Sequence, residues 1–137
     1  MPPLNGILET ALYVADLSRA VAFYRLLFGF DVLFADDRLC ALAVPGHQVL
    51  LLFRKGMSVA PSEVAGGTIP GHDGGGQLHV AFAVAAADLP AWEERLRRQG
   101  VAVESTVSWP RGGRSVYFRD PDGHLVELAT PGIWANY

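Results

Sequence analysis

Apolar and small or polar residues alternate from Glu9 to Ala15 and again from Gln77 to Ala85, and both stretches are rich in β-formers. That pattern predicts a strand in each. A longer period follows. Leu17, Val21, Tyr24 and Phe28 recur at helical spacing, with Asp16 or Ser18 positioned to cap the first turn and Gly29 to supply a left-handed stop. Leu89, Trp92 and Leu96 repeat the arrangement, with Asp88 as cap and Gly100 as stop. Beyond each glycine three short strands are predicted, at about 30–36, 39–44 and 48–54, then at about 101–107, 113–119 and 125–129. Asp36-Asp37, Pro45-Gly46, Gly112-Gly113 and Asp120-Pro121-Asp122-Gly123 supply the turns.

The two runs share one register. Glu9-Thr10-Ala11-Leu12-Tyr13-Val14 aligns with His79-Val80-Ala81-Phe82-Ala83-Val84, and each leads to an Asp-Leu pair, Asp16-Leu17 and Asp88-Leu89. The expectation is an α+β fold: a single domain, 1–137, of two βαβββ modules at about 7–55 and 77–130, forming a curved, barrel-like mixed sheet with helices outside. A Gly/Pro-rich loop, 56–76, joins them. Its part from Pro61 to Gly76 holds six glycines and no periodicity. It reads as a flexible linker or, given its length, as a lid over a site.

Composition narrows the class. The chain has 137 residues, 50% hydrophobic and 18% charged, too apolar for disorder and of one domain's length. A net charge of −3 gives no reason to expect nucleic acid as a partner. One cysteine precludes an internal disulfide. No signal peptide and no apolar stretch near the ~20 residues of a membrane span is visible, so the expected setting is cytoplasmic, with no membrane partner.

Strand alternation sorts the side chains. Thr10, Leu12 and Val14, like Val80, Phe82 and Val84, form the bulky faces expected under the helices. Glu9 and His79 then share the other, concave side at equivalent positions of the two halves. In Leu125-Val126-Glu127-Leu128-Ala129, Val126 and Leu128 face the helix and Glu127 faces the concavity. A carboxylate in so apolar a strand is costly to bury without a partner. Two carboxylates and an imidazole converge if the halves close, and such a set suits a divalent metal (Fe, Mn, Zn, Ni or Co) with positions left open for substrate.

Residues 11–24, Gly29-Phe30, His79-Val80-Ala81-Phe82 and the run from Phe118 to Leu128 resemble the vicinal oxygen chelate superfamily, which contains glyoxalase I, fosfomycin-resistance enzymes, methylmalonyl-CoA epimerases, extradiol dioxygenases and bleomycin-resistance proteins. The resemblance implies metal ligation by Glu9, His79 and Glu127. It puts Glu9 where the extradiol and fosfomycin-resistance pattern has His. It puts Leu51, which has no ligating atom, where glyoxalase I and the epimerases add a fourth ligand. Ser115 and Tyr117 match a Ser-x-Tyr pair that helps bind phosphonate in the fosfomycin-resistance transferases. Arg111 and Arg114 are placed either to hold an anionic group or as solvated hairpin arginines. Small members commonly form homodimers, and a homodimer is expected here.

The expected function is a metal-dependent enzyme acting on a small oxygenated molecule by bidentate chelation, of lyase, isomerase or transferase type, with Glu127 or Glu9 moving a proton. The alternatives are an extradiol-type ring-cleaving dioxygenase and a non-catalytic drug-binding protein of bleomycin-resistance type. Tyr13, Leu51, Phe53, Trp109, Arg114, Ser115 and Tyr117 are the candidate substrate contacts. His124 reads as a turn residue, His47 and His72 as exposed loop residues, and Cys40 as a small packing residue. Trp134 and Tyr137 read as covers for an interface or the cavity mouth.

Overall fold

The computed structural model describes residues 1–137 and divides into two compact units, Met1–Gly75 and Gly76–Tyr137. Unit 1 runs β1 (Glu9–Val14), α1 (Leu17–Phe28), β2 (Val32–Ala35), β3 (Leu39–Val44) and β4 (Gln48–Arg54). It then adds a small hairpin, β5 (Ser62–Val64) and β6 (Gly67–Ile69). Unit 2 repeats the plan with β7 (His79–Ala83), α2 (Leu89–Arg98), β8 (Val103–Ser108), β9 (Arg114–Arg119) and β10 (Leu125–Ala129). The expected α+β class and the two βαβββ modules are both present. The strands form two separate four-stranded sheets, ordered β1-β4-β3-β2 and β7-β10-β9-β8, rather than one closed barrel. In each sheet the first and last strands of the module pair in parallel, which is why a helix must intervene between them. The predicted linker is more structured than its composition suggests, since β5 and β6 pair from Ser62–Ile69 to Val64–Gly67.

Helix α1 begins at Asp16, whose carboxylate accepts the Arg19 backbone N–H at 3.0 Å, and stops at Gly29 with φ 74°. Both ends are as the sequence predicts. Its buried stripe is Ala20, Tyr24 and Leu27, while Leu17, Val21 and Phe28 are half-buried, so the helix is rolled by about one position from the expected face. Helix α2 enters differently. A 3-10 helix, Ala86–Asp88, precedes it, Asp88 makes no side-chain cap, and Pro90 opens the first turn, where a missing N–H costs nothing. Leu89 and Leu96 bury its inner face, as expected.

Beneath α2 the core of unit 2 is Val116, Phe118, Val126 and Leu128, all on one face of its sheet and all fully buried. The other face carries His79, Glu127, Tyr117 and Ser115, because alternation sends them the opposite way. His124 corrects the sequence reading. It does follow the Asp120 turn, yet it is fully buried, and its Nδ1 accepts the Leu78 N–H at 2.9 Å. The Asp120 carboxylate receives the N–H groups of Asp122 and His124, both at 2.9 Å. The turn and its imidazole thus fix the start of β7, one residue before His79.

Candidate active site

Parallel pairing puts His79 beside Leu125, and antiparallel pairing puts Glu127 directly across from Tyr117. His79 is half-exposed, and its Nδ1 lies 3.0 Å from the Leu125 carbonyl oxygen. A carbonyl only accepts, so Nδ1 carries the proton and Nε2 points its other valence at Glu127, 3.2 Å from Oε2. Glu127 is 7% exposed. Its Oε1 accepts the Ser115 hydroxyl at 2.5 Å, and Ser115 Oγ in turn accepts the Trp109 indole N–H at 2.8 Å. Each hydrogen bond in this chain has one possible direction, so the serine proton is committed to the carboxylate.

Tyr117 completes the cluster. Its ring centroid is 6.4 Å from that of His79. Desolvation pushes its phenol above the ordinary tyrosine value, the Glu127 carboxylate pushes it further, and a hydrogen bond with Ser115 pulls the other way. Tyr117 is therefore a neutral donor at physiological pH. The neutral form is favoured in the fold, so its contribution is fully present below about pH 10 and is lost as pH rises through the higher folded value. Absorbance at 295 nm should show tyrosine ionisation extending above the ordinary range, and Tyr117→Phe should remove one tyrosine's amplitude from that late part.

Trp109 is held by its hairpin. Its backbone N–H donates to the Gly113 carbonyl and its carbonyl accepts the Gly112 N–H, at 2.8 and 2.9 Å. Gly113 and Gly132 touch backbone to backbone, and a Cβ at Gly113 would lie 2.7 Å from the Gly132 carbonyl carbon. Only glycine allows that contact. Arg114 is a correction to the expected substrate contacts. It neighbours Ser115 in sequence and so points to the opposite face, where its Nη2 lies 3.6 Å from Glu93 Oε1 of α2. Arg119 shares the Tyr117 face, but Glu104 engages it through two hydrogen bonds of 2.7 and 3.0 Å. Trp134 is exposed, whereas the Tyr137 hydroxyl reaches back to the Ala129 carbonyl at 3.1 Å.

Unit 1 has its own concavity, a groove of about 440 Å³ lined by Glu9, Tyr13, Arg38, Leu51, Phe53 and His72 among others. Glu9 opens β1 as His79 opens β7, and it is exposed. Tyr13 stacks on Phe53 at 5.7 Å and shares a 2.6 Å hydrogen bond with His72 Nδ1. His72, expected to be exposed, is half-buried with its ring edge on Phe53 at 4.6 Å. His72 and Arg38 are the polar lining residues that sequence reasoning missed. Both lie outside the sheet strands, where alternation gives no direction. Cys40 is buried, and desolvation raises its thiol pKa, so it is a packing residue and not a nucleophile.

A divalent ion needs deprotonated donors that converge. His79 Nε2 and Glu127 Oε2 fit as two such donors, with the histidine tautomer set by Leu125 and the carboxylate oriented by Ser115. No third His, Cys, Asp or Glu joins them in a cluster able to hold a metal ion.

A model of the "Glyoxalase/Bleomycin resistance protein/Dioxygenase superfamily" matches residues 6–128. The chain belongs to that superfamily. It is 32% identical over 130 residues to the metallothiol transferase FosB of Bacillus licheniformis, covering 94% of this chain and 77% of that protein. It is 28% identical to the glutathione transferase FosA of Serratia marcescens, over 97% of this chain and 86% of that one. A crystal structure named as lactoylglutathione lyase from Agrobacterium tumefaciens superposes with a TM-score of 0.87 at 37% identity, covering 98% of this chain and 99% of that one. The expected class, an enzyme of lyase, isomerase or transferase type, includes the transferase and lyase activities that these relatives carry in their names.

Proposed function

We propose that the protein is a metal-dependent transferase or lyase acting on a small oxygenated molecule, with His79 and Glu127 as two protein ligands of a divalent ion. The observation that carries this reading is the 3.2 Å approach of His79 Nε2 to Glu127 Oε2 with the far side of each group already fixed. When bound, the ion would chelate neighbouring substrate oxygens and stabilise negative charge developing on them.

The remaining chemistry belongs to the chain. Glu127 Oε1 is occupied by Ser115, so Oε2 is the oxygen that would hold the ion and, on leaving it, could take a proton. Tyr117, kept neutral, shares hydrogen bonds with Ser115 and Glu127, and its phenol would turn from them to a substrate oxygen as that oxygen gains charge. Ser115 and Trp109 are better suited to orienting Glu127 than to touching substrate, because their hydrogen bonds are already committed. Leu51 carries no ligating atom and serves the groove as an apolar wall. The working form is a cytoplasmic homodimer.

Elemental analysis of protein purified without chelator tests the reading. About one divalent ion per chain is expected, lost in His79→Ala, as one of the two donors that converge in unit 2 is removed. Metal-free protein that stays metal-free on reconstitution would overturn it. The His79–Glu127 contact would then be an ion pair, and a small-molecule binding protein would be the better account.

A further inference from the structure

The groove of unit 1 contains a half-buried cation that no acid neutralises. Arg38 precedes β3, and its Nη1 donates to the Ser62 hydroxyl of β5 at 2.7 Å. That neutral oxygen is the sole acceptor of its guanidinium, which makes no ion pair. Asp36, two residues away, is diverted, since its Oδ1 accepts the backbone N–H groups of Arg38 and Leu39, both at 2.8 Å. Partly desolvating a guanidinium without a counter-charge is unfavourable unless an anion arrives.

The groove around it is apolar. Ala11, Leu39, Leu51 and Phe53 form the floor, and Ile69 of β6 stands exposed at the wall. The groove has direction. Tyr13, Phe53 and Leu39 are consecutive partners across the sheet at the Arg38 end, whereas Glu9 pairs with Val49 at the other. Four residues of strand separate Glu9 from Tyr13, roughly 13 Å at the usual rise. The lone carboxylate lining the groove is thus well removed along the strand from the cation. The Arg38 end is closed by the returning loop. His72 bonds Tyr13, its N–H donates to the Ser58 carbonyl at 2.8 Å, and a Cβ on Gly74 would come within 2.4 Å of the Tyr13 ring.

We propose that this groove binds an amphipathic carboxylate, its apolar or aromatic body lying over Leu51 and Phe53 and its carboxylate seated on the unused N–H groups of Arg38. A guanidinium offers a planar fork that matches a carboxylate with two hydrogen bonds. The proposal gives a chemical class to the small molecule of the functional reading above and rests on it only for the identity of that molecule as substrate.

The test uses 4-phenylbutyrate and the neutral 4-phenylbutanol, which share a body and differ in the head group. Each is titrated into ¹⁵N-labelled full-length protein with chelator present, so the metal plays no part. The acid is expected to shift amides of β1, β3 and β4 and to bind at least about tenfold more tightly than the alcohol, as a charge-assisted contact warrants. Arg38→Gln should bring the two to equal affinity with spectral dispersion intact. Ser62→Ala, which removes the neutral partner and leaves the guanidinium, should preserve the preference. Equal binding of acid and alcohol by the native protein, binding of neither, or a preference that survives Arg38→Gln would each overturn the proposal. A positive result in protein that never takes up metal would uphold the groove and sink the metal reading, so the two failures are separable.

Discussion

Glu127→Gln should abolish metal binding while leaving the fold in place. The substitution keeps the side chain's shape. The glutamine oxygen can still accept the Ser115 hydroxyl, and its NH₂ group can donate to the His79 Nε2 lone pair, which faces Glu127 because Nδ1–H is engaged by Leu125. What disappears is the negative charge. Outer-sphere partners of a metal ligand are each worth about 10- to 100-fold in affinity, so loss of a ligand itself should cost more than about a hundredfold. Stability gives a readout that needs no substrate. Metal at a hundred times its dissociation constant should stabilise the native protein by about 2.7 kcal/mol, and the variant by nothing measurable. Thermal denaturation with and without added ion checks this, and an undiminished metal-induced shift in Glu127→Gln would remove Glu127 from the site. Glu127→Ala is the useful contrast. It leaves the fully buried Ser115 hydroxyl without its acceptor and should lose a further 1–3 kcal/mol or so even without metal.

The largest loss of stability is expected from Phe118→Ala. Phe118 is fully buried in the core of unit 2 on the same strand that carries Ser115 and Tyr117. It pairs across the sheet with Val126 on one side and Val103 on the other. Removing the ring forfeits its transfer energy and leaves a cavity among neighbours with little room to collapse, which together should cost about 3–5 kcal/mol. Urea denaturation followed by tryptophan fluorescence is well placed to see it, because all three tryptophans, Trp92, Trp109 and Trp134, lie in unit 2. A loss below about 1 kcal/mol would mean that the site repacks, contrary to the usual behaviour of a close-packed core. Because Tyr117 and Phe118 are adjacent residues on opposite faces, the same variant should loosen the hydrogen bonds around Glu127.

Much of this molecule is determined by its sequence alone. Period-two and helical-period hydrophobicity, with Gly29 and Gly100 as stops, defined both βαβββ modules and their common register. Alternation alone put Glu127 and His79 on the polar face and Val126 and Leu128 on the other, because side-chain direction in a strand is a local property. The same rule separates Arg114 from Ser115, and the ion pair of Arg114 with Glu93 follows from it. The tertiary structure decided what pairs with what. Ser115 meets Glu127 only because β9 and β10 pair in one register, and Trp109 reaches Ser115 only because two glycines let the tail pass close to its hairpin. His124 looks like a turn residue until the strand before His79 arrives to need its lone pair. His72 and Arg38 join the groove because a loop folds back on the sheet. Those contacts join residues far apart in the chain, and no local period encodes them.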